Sequence, residues 1–457
     1  MKRRIILTGV LVATILAAME STIVSTAAPS IAKDLSNLDM ISWIFSIYLL
    51  ASAVSAPIFG KLADIFGIKK IFIIGMILFL IGSLACGFAT SMNQLIIARA
   101  VQGLGGGSVF PLCRTILGLI YIDEKERSKA QGWESAIYGI AGVLGPLAGG
   151  IIVDNLSWHY VFLITVPIGL IASILIIINF KEQIPGVKHK VDYIGATIFS
   201  IGTISLIFAL LEGSKLGWTS LKIMILFIIA AISLFVFIYV ERKAQEPLIP
   251  LNLFKDPGLL MINVITLFSG AILIGITTYI PTWSQTILGN SASQSGLLLT
   301  PLLVLWTSGS FIVGIIAGKL TSNKIIRIGS IILLVATFLL STVSHNTSEI
   351  LIYIYTGLLG LGMGLIVPLI IVYIQSNISN NELGSAMGLN AFINTLSQAI
   401  GVSIFGAIFS YSTVGASNEV KAIESGTHYI FIGTVILALL IFGATFLLKK
   451  KDVERQY

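Results

Sequence analysis

The first long apolar stretch of the chain occupies residues 5–28 and reads IILTGVLVATILAAMESTIVSTAA, with Glu20 as its charged residue. A helix needs roughly 20 apolar residues to cross the hydrocarbon core of a bilayer. Lys2, Arg3 and Arg4 precede the stretch, as basic residues do in a signal peptide. Glu20 and the many apolar stretches that follow favour a first transmembrane helix that is not cleaved.

The same pattern continues along nearly all 457 residues, of which 56% are apolar and 11% are charged. A soluble domain carries about 25% charged residues, so lipid must cover most of this surface. Backbone groups in lipid must hydrogen-bond within their own segment, and runs of this length are therefore helices rather than barrel strands. We expect an all-α membrane protein with spans near residues 5–28, 40–60, 71–90, 93–119, 132–153, 158–179, 191–211, 222–240, 258–281, 294–318, 328–344, 350–375, 385–410 and 429–448.

Basic residues are distributed unequally between the two sides that these spans define. The loops on one side, counted with Arg114, hold 23 lysines and arginines, the loops on the other side hold four, and Arg99 is left inside a span. Cytoplasmic loops carry the excess of basic residues, so both termini are expected in the cytoplasm. High Ile, Lys and Asn usage favours a bacterial plasma membrane. The net charge of +7 follows from this asymmetry, and nucleic-acid binding is not expected because a basic stripe with interleaved aromatic residues is missing.

The sequence contains an internal repeat with an offset of about 257 residues. Residues 103–107 read GLGGG and residues 360–364 read GLGMG, while Gly60-Lys61-Leu62 recurs as Gly318-Lys319-Leu320. Such repeats are common in transporters. They predict a six-helix half over residues 1–185, an inserted helix pair with a cytoplasmic linker over 186–257, and a second six-helix half with a cytoplasmic tail over 258–457.

Four motifs together resemble the major facilitator superfamily, and within it the 14-helix drug:proton antiporters. Residues 60–70, GKLADIFGIKK, are similar to the signature loop between helices 2 and 3, and residues 99–105, RAVQGLG, to the helix-4 motif. Residues 142–150, GVLGPLAGG, resemble the helix-5 antiporter motif, and residues 20–29, ESTIVSTAAP, the helix-1 motif of that branch. The resemblance implies a major facilitator fold of two pseudo-symmetric six-helix halves and two inserted helices, and export of drugs in exchange for protons.

Three charged residues inside or beside the spans are candidates for proton or cation coupling. Glu20 is expected some 13 Å from the outer end of the first span, where an ionised acid needs a watery cavity or a partner. Such an acid can release its proton when a cationic drug arrives and recover it when the drug leaves. A permanent ion pair with Arg99, at similar depth, is the alternative; the resemblance links Arg99 to proton transfer. Glu134, expected at shallow depth where the family usually has a small residue, is either a further coupling site or an interfacial acid.

Two further groups of residues are candidates for the transport path. Polar and aromatic side chains that could line a substrate cavity, where aromatic rings would hold a lipophilic cation, are Gln102, Tyr138, Asn263, Tyr279, Trp283, Trp306, Asn390, Asn394 and Gln398. Candidates for gating, as a latch in the expected loop after span 2 and a seam in span 5, are Gly60, Asp64, Gly67, Lys69, Lys70, Gly145, Pro146, Gly149 and Gly150.

Other classes of function are disfavoured. The four histidines lie in or near separate loops and Cys86 and Cys113 lie in spans, so neither a metal centre nor a disulfide framework is indicated. An enzyme, a cofactor and a channel are not expected. The expected partners are small lipophilic, cationic substrates, protons and the lipid bilayer, and the protein is expected to be a monomer. Sodium coupling, and export of a metabolite or lipid precursor, stay open as alternatives.

Overall fold

A computed structural model of the protein describes residues 2–35, 40–182, 191–413 and 419–448. Within these residues it contains fourteen helices that are long and apolar enough to cross a membrane, which confirms the expected all-α class and number of spans. Their bounds are α1 Lys2–Asp34, α2 Ile41–Phe66, α3 Ile68–Gly87, α4 Met92–Ile120, α5 Glu124–Asn155, α6 His159–Asn179, α7 Tyr193–Gly213, α8 Leu221–Glu241, α9 Pro257–Ile287, α10 Gln294–Ile316, α11 Ser322–Ser341, α12 Glu349–Asn377, α13 Asn380–Ser412 and α14 Val420–Thr445.

An even number of spans puts the start of α1 and the end of α14 on the same face of the bundle, here named the terminal face. Two contacts agree with this: Arg3 lies 3.7 Å from Glu126 at the start of α5, and Asn323 at the start of α11 donates a hydrogen bond to the Leu448 carbonyl. The other face is named the opposite face. Several expected features lie outside the described residues, namely the domain boundary at residue 185 and the cations Lys188, Lys190, Lys449, Lys450, Lys451 and Arg455.

Several helices extend beyond the spans expected from the sequence, and two of these differences matter for the site. The α5 helix begins at Glu124, eight residues early, because Asp123 accepts a hydrogen bond from the Glu126 amide and caps it. The α2 helix continues to Phe66, so Asp64 lies in its last turn rather than in a loop. Gly67 then connects α2 to α3 with a φ of 93°, a left-handed conformation that glycine adopts without a Cβ clash.

The packing of α1–α6 recurs in α9–α14. The α1 helix packs against α5 and α6, and α4 against α2 and α3; likewise α9 packs against α13 and α14, and α12 against α10 and α11. Two hydrophobic clusters draw their buried residues from between Ile6 and Phe180, and a third draws them from between Phe199 and Leu448. The two sets of helices meet where α2 and α4 contact α13 and where α5 contacts α10 and α12.

The α7 and α8 helices stand beside this pair of bundles. The α7 helix contacts both α2 and α13, whereas α8 packs mainly on α7. Only 17% of the most apolar 18-residue segment of α8 is buried, so the outer surface of α8 would face lipid in a membrane. A linker with the short helix Leu251–Phe254 leads from α8 to α9.

Candidate functional site

Glu20 and Arg99 form a buried ion pair between α1 and α4. Their side chains are 0% and 2% exposed, and the guanidinium Nη1 donates to Glu20 Oε1. Glu20 lies 14 residues before the end of the 33-residue helix α1, about 21 Å along the axis, because α1 continues six residues past the expected end of the first span. The ion pair that the sequence left as an alternative is therefore present.

The surroundings of Arg99 hold the guanidinium in one orientation. Its Nε donates to the Ile44 carbonyl at 3.0 Å, and Nη1 also donates to Gln102 Oε1 at 2.7 Å. Gln102 in turn donates to Ser83 Oγ at 2.9 Å. The guanidinium carbon lies 4.3 Å from the centre of the Tyr48 ring, within range of a cation–π contact. All of these groups belong to α2, α3 and α4, so this site is built within one set of helices.

The second carboxylate oxygen of Glu20 differs from the first. It is buried, and in the part of the chain that the structure describes no group donates a hydrogen bond to Oε2. An unpaired buried carboxylate oxygen is costly in free energy, and a proton on it, or a hydrogen-bond donor from another molecule, removes that cost. The pair with Arg99 thus leaves the second carboxylate oxygen of Glu20 without a hydrogen bond in the described structure.

A second ion pair joins Glu134 on α5 to Arg114 on α4. Arg114 Nε lies 3.3 Å from Glu134 Oε1, and the side chains are 11% and 1% exposed. The Arg114 guanidinium carbon lies 3.9 Å from the centre of the Phe110 ring, which itself contacts Tyr138. One expectation was wrong, because Arg114 was counted with the loops and lies inside α4. Glu134 lies ten residues into α5 and is buried.

The two ion pairs are staggered along α4. Arg99 and Arg114 are 15 residues apart on this helix, which corresponds to about 22 Å. Arg99 lies nearer the end of α4 at the opposite face, and Arg114 lies nearer the end at the terminal face. One helix therefore carries two buried carboxylate–arginine pairs at two different depths.

Asp64 fastens α2 to the start of α13 at the terminal face. Its carboxylate accepts hydrogen bonds from the Gly384 amide at 2.7 Å, the Ser385 amide at 2.7 Å and the Ser385 hydroxyl at 2.5 Å. The helices can approach this closely because Gly60 lacks a side chain, and a Cβ there would collide with the Gly384 carbonyl. The two sets of helices are thus closed on each other at this face.

Basic residues near Asp64 have other partners. The Lys61 ammonium lies 2.9 Å from Glu246 in the linker between α8 and α9. The backbone amide of Lys69 donates to Glu182 at 3.0 Å, and the Lys70 ammonium lies 5.5 Å from the centre of the Phe66 ring. The structure therefore brings Gly60 and Asp64 to the contact with α13, while Lys69 and Lys70 contact groups on their own side of it.

The glycines of α5 separate into two groups. Gly145 faces Thr22 and Gly149 faces Thr26, both on α1, so the segment around Pro146 packs within α1–α6. A Cβ on Gly150 would meet nothing within 4 Å.

Nearer the terminal face, Ser135 of α5 accepts hydrogen bonds from the indole of Trp306 and from Ser310, both at 3.0 Å. The contact of α5 with α10 thus includes two hydrogen bonds to Ser135, which the sequence did not single out.

The remaining cavity candidates occupy different environments. Gln102 is fully buried beside Arg99, and Trp283 is 1% exposed. Asn390 donates to Thr266 at 3.0 Å, and Gln398 donates to Asn394 at 3.0 Å. Tyr138 and Asn394 are exposed, whereas the side chains of Asn263 and Tyr279 are buried. Trp306, a candidate on α10, donates a hydrogen bond to Ser135 of α5.

Sequence reasoning missed several residues that contact the candidate site. Arg114, Tyr48, Ser83 and Gln375 were not among the candidates, although Gln375 donates to the Arg114 carbonyl at 2.6 Å. Arg114 could have been found, since it falls within the expected span 93–119. The partners of Asp64 could not, because they are two backbone amides and a serine some 320 residues away.

Comparison with known proteins gives consistent matches. The model of the Major Facilitator Superfamily matches residues 10–402. The chain is 36% identical over 406 residues to Multidrug resistance protein 3 of Bacillus subtilis (strain 168), which covers 89% of this chain and 79% of that protein. It is 32% identical over 429 residues to the multidrug efflux pump SdrM of Staphylococcus aureus (strain N315), with 93% and 94% covered.

A solved structure has the same overall fold. The human organic anion transporter MFSD10 (TETRAN) superposes with a TM-score of 0.71 over 98% of this chain and 99% of that chain, at 15% sequence identity. This likeness concerns the arrangement of helices. It confirms the fold that the sequence motifs implied.

Proposed function

Because the chain belongs to the Major Facilitator Superfamily and is therefore a membrane-embedded transporter, we propose that it exports lipophilic cationic drugs in exchange for protons. The names of the relatives in Bacillus and Staphylococcus support drug export. The observation that carries the exchange is the buried Glu20, whose Oε1 is paired with Arg99 and whose Oε2 is unpaired in the described structure.

The proposed exchange uses the two states of this carboxyl group. When Glu20 is protonated, Oε2 no longer carries an unsatisfied charge; when it is ionised, the same oxygen can accept a cation or a donor from a substrate. Arg99 stabilises the ionised form of Glu20 and so favours release of its proton. Glu134, paired with Arg114, is proposed as a second coupling site closer to the terminal face.

The proposed transport cycle is alternating access between two rigid halves. We propose that α1–α6 and α9–α14 are these halves, with α7 and α8 as the inserted pair, and that the terminal face is cytoplasmic because the basic loops lie there. The hydrogen bonds of Asp64 to Gly384 and Ser385 then close the cytoplasmic side. The exposed candidates Tyr138 and Asn394 are proposed to contact substrate, and the protein is proposed to act as a monomer.

The test is ethidium transport in proteoliposomes that contain DNA, whose fluorescence reports ethidium in the lumen. An imposed proton gradient with an acidic lumen should drive ethidium inward. Glu20→Gln should reduce accumulation to the level of protein-free liposomes, because the amide cannot ionise. Glu134→Gln and Arg99→Ala are compared in the same assay. Glu126→Gln is the matched control, since the Glu126 side chain is 57% exposed.

Each outcome has a defined meaning. Full gradient-driven transport by Glu20→Gln would refute Glu20 as the coupling residue. Transport driven by a sodium gradient and not by a proton gradient would replace the proton with sodium. If wild-type protein moves no ethidium or other lipophilic cation under either gradient, drug export is wrong, and a metabolite or lipid precursor becomes the substrate to test.

A further inference from the structure

A large cavity lies beside the main bundle, between α7, α8, the start of α13 and the linker that follows α8. Its volume is about 1430 Å³. Pockets that hold drug-sized molecules measure about 300–1,000 Å³, so this cavity can accept a molecule of that size or a long alkyl chain. It does not include Glu20, Arg99, Glu134 or Arg114.

The walls of the cavity are apolar and aromatic. Phe199 of α7, Phe237 of α8 and Phe392 of α13 line it. The Phe199 ring lies 5.5 Å from the Phe237 ring and 5.0 Å from the Phe392 ring, measured between centroids. Leu234 and Ile238 also line it, and both are exposed on the outer helix α8. The cavity is therefore only partly enclosed, with the α8 helix as its outer wall.

Two acids line this apolar cavity, Glu241 and the half-buried Glu382, and Glu241 is incompletely hydrogen-bonded. Glu241, at the end of α8, is 3% exposed. Its Oε1 accepts hydrogen bonds from the backbone amides of Leu248 at 3.0 Å and Ile249 at 3.3 Å. Its Oε2 is buried, and among the described residues nothing donates to it. The linker is thus folded around Glu241 in a way that satisfies one carboxylate oxygen and leaves the other without a donor among the described residues.

The charges around Glu241 favour a cation as that donor. The charged groups that act on its carboxyl are Asp192, which is acidic, and Lys61, which is basic. Lys61 is already paired with Glu246 at 2.9 Å, and Asp192 also has a buried oxygen without a described donor. The local balance at the inner end of the cavity is therefore acidic.

We propose that this cavity binds a single-chain amphiphile with a cationic, hydrogen-bond-donating headgroup, which enters from the bilayer between α8 and α13. The ammonium group donates to Glu241 Oε2, and the alkyl or aromatic body packs against Phe199, Phe237 and Phe392. This inference rests on the proposed function and extends it, since the cavity is a lateral entry site for substrates dissolved in the leaflet at the terminal face.

An anionic phospholipid is the competing occupant. Arg242 and Lys255 also line the cavity, and both are exposed at its rim. A phosphate headgroup would contact these two side chains and leave Glu241 Oε2 unpaired. The acid lies deep and the two cations lie at the surface, where water and lipid headgroups screen them, so the cationic amphiphile fits better.

The test is native mass spectrometry of the full chain released from nanodiscs, because bound amine and bound lipid differ in mass. Tetradecylamine is titrated beside tetradecan-1-ol, tetradecyltrimethylammonium and phosphatidylglycerol. Wild-type protein should bind one copy of tetradecylamine. Glu241→Gln should weaken its binding roughly tenfold or more, because the attraction between an ammonium and a carboxylate is lost. It should weaken tetradecan-1-ol binding much less, because a neutral hydroxyl also hydrogen-bonds to the Gln side chain. The retained alcohol binding also shows that the variant is folded.

A second variant tests the location. Ala231 lines the cavity and is exposed, so Ala231→Trp should fill the space and reduce binding of all the single-chain probes. Ile232→Trp is the matched control, because Ile232 is the next residue, is 58% exposed and is not part of the cavity wall. Equal loss in the two variants would refute the site.

Three results would overturn the proposal: tetradecylamine binding that is unaffected by Glu241→Gln, equal binding of the quaternary ammonium, and phosphatidylglycerol as the sole bound species. Failure of the proposed function has a different signature. In that case wild-type protein binds tetradecylamine in a Glu241-dependent manner, but proteoliposomes do not transport it under a proton or sodium gradient.

Discussion

Replacing Asp64 with Asn tests whether the terminal face is held closed by the contact that the structure describes. The Asp64 carboxylate accepts three hydrogen bonds from Gly384 and Ser385, at 2.5–2.7 Å. An Asn side chain keeps one oxygen and places an amide NH₂ where the second oxygen accepts. At least one charge-assisted bond is therefore lost, which is worth about 1.5–3 kcal/mol.

This loss acts on the equilibrium between the closed and open terminal face. Every 1.4 kcal/mol changes an equilibrium constant tenfold, so the open population should rise roughly 10- to 150-fold while it is still the minor state. The Ser310→Cys substitution provides a reporter, because Ser310 is fully buried between α5 and α10. A reagent that cannot cross the membrane, added to the terminal face, should label this cysteine faster by the same factor.

The control and the refuting result use the same assay. Asp154→Asn changes an exposed acid at the far end of α5 and should leave the labelling rate unchanged. The native Cys86 and Cys113 are buried, and their labelling is measured in a chain that keeps Ser310. If Asp64→Asn labels at the wild-type rate, the bonds to Gly384 and Ser385 do not limit opening, and the reasoning about the latch is wrong.

Two further predictions concern ion pairs. Lys61→Glu and Glu246→Lys should each speed labelling of the Ser310→Cys reporter, because each variant brings two like charges next to each other. The double exchange restores opposite charges and should restore the slow rate. Faster labelling in the double variant than in both single variants would contradict a stabilising ion pair between these residues. Arg114→Ala should lower the melting temperature of the purified protein, since removing one partner of a buried pair costs about 3–5 kcal/mol. Adding Glu134→Gln should recover much of this loss, and an equally low melting temperature in the double variant would show that Arg114 stabilises the protein in another way.

The architecture could be predicted because the physics of the bilayer is visible in local sequence. Apolar run length fixes the spans, and all fourteen expected spans correspond to helices. Helix ends were predicted less well where polar residues continue a helix beyond the apolar run. Asp123 caps α5, and Phe66 ends α2, so both helices extend past the point where the apolar pattern stops.

The partners of the site residues could be predicted only in part. The ion pair of Glu20 and Arg99 was predicted as one alternative, because opposite charges at similar depth in a bilayer are stabilised either by pairing or by hydration. Arg114 was counted with the loops, and its pairing with Glu134 was therefore missed. Glu241 was not considered, since an acid at the end of a span is common, and its significance depends on the fold of the linker around it.

The two arginine pairs on α4 should respond differently to a rocking motion of the bundles. The neighbours of Glu20 and Arg99, which include Ile44, Tyr48 and Gln102, lie within α1–α6 and would move together. The neighbours of Glu134 and Arg114 include groups of α10 and α12: Trp306 and Ser310 bond to the adjacent Ser135, and Gln375 bonds to the Arg114 carbonyl.

Separation of α5 from α10 and α12 would therefore remove protein atoms from around Glu134 and admit water, while the contacts of the Glu20–Arg99 pair stay intact. Desolvation is the main cost of a buried charge, and a group couples proton binding to the change of state when its hydration, nearby charge or hydrogen bonding differs between the two states. By this argument Glu134 reports the opening of the terminal face. Glu20 needs its change of environment to come from a molecule that approaches Oε2, which is what an exchange site for a cationic substrate requires.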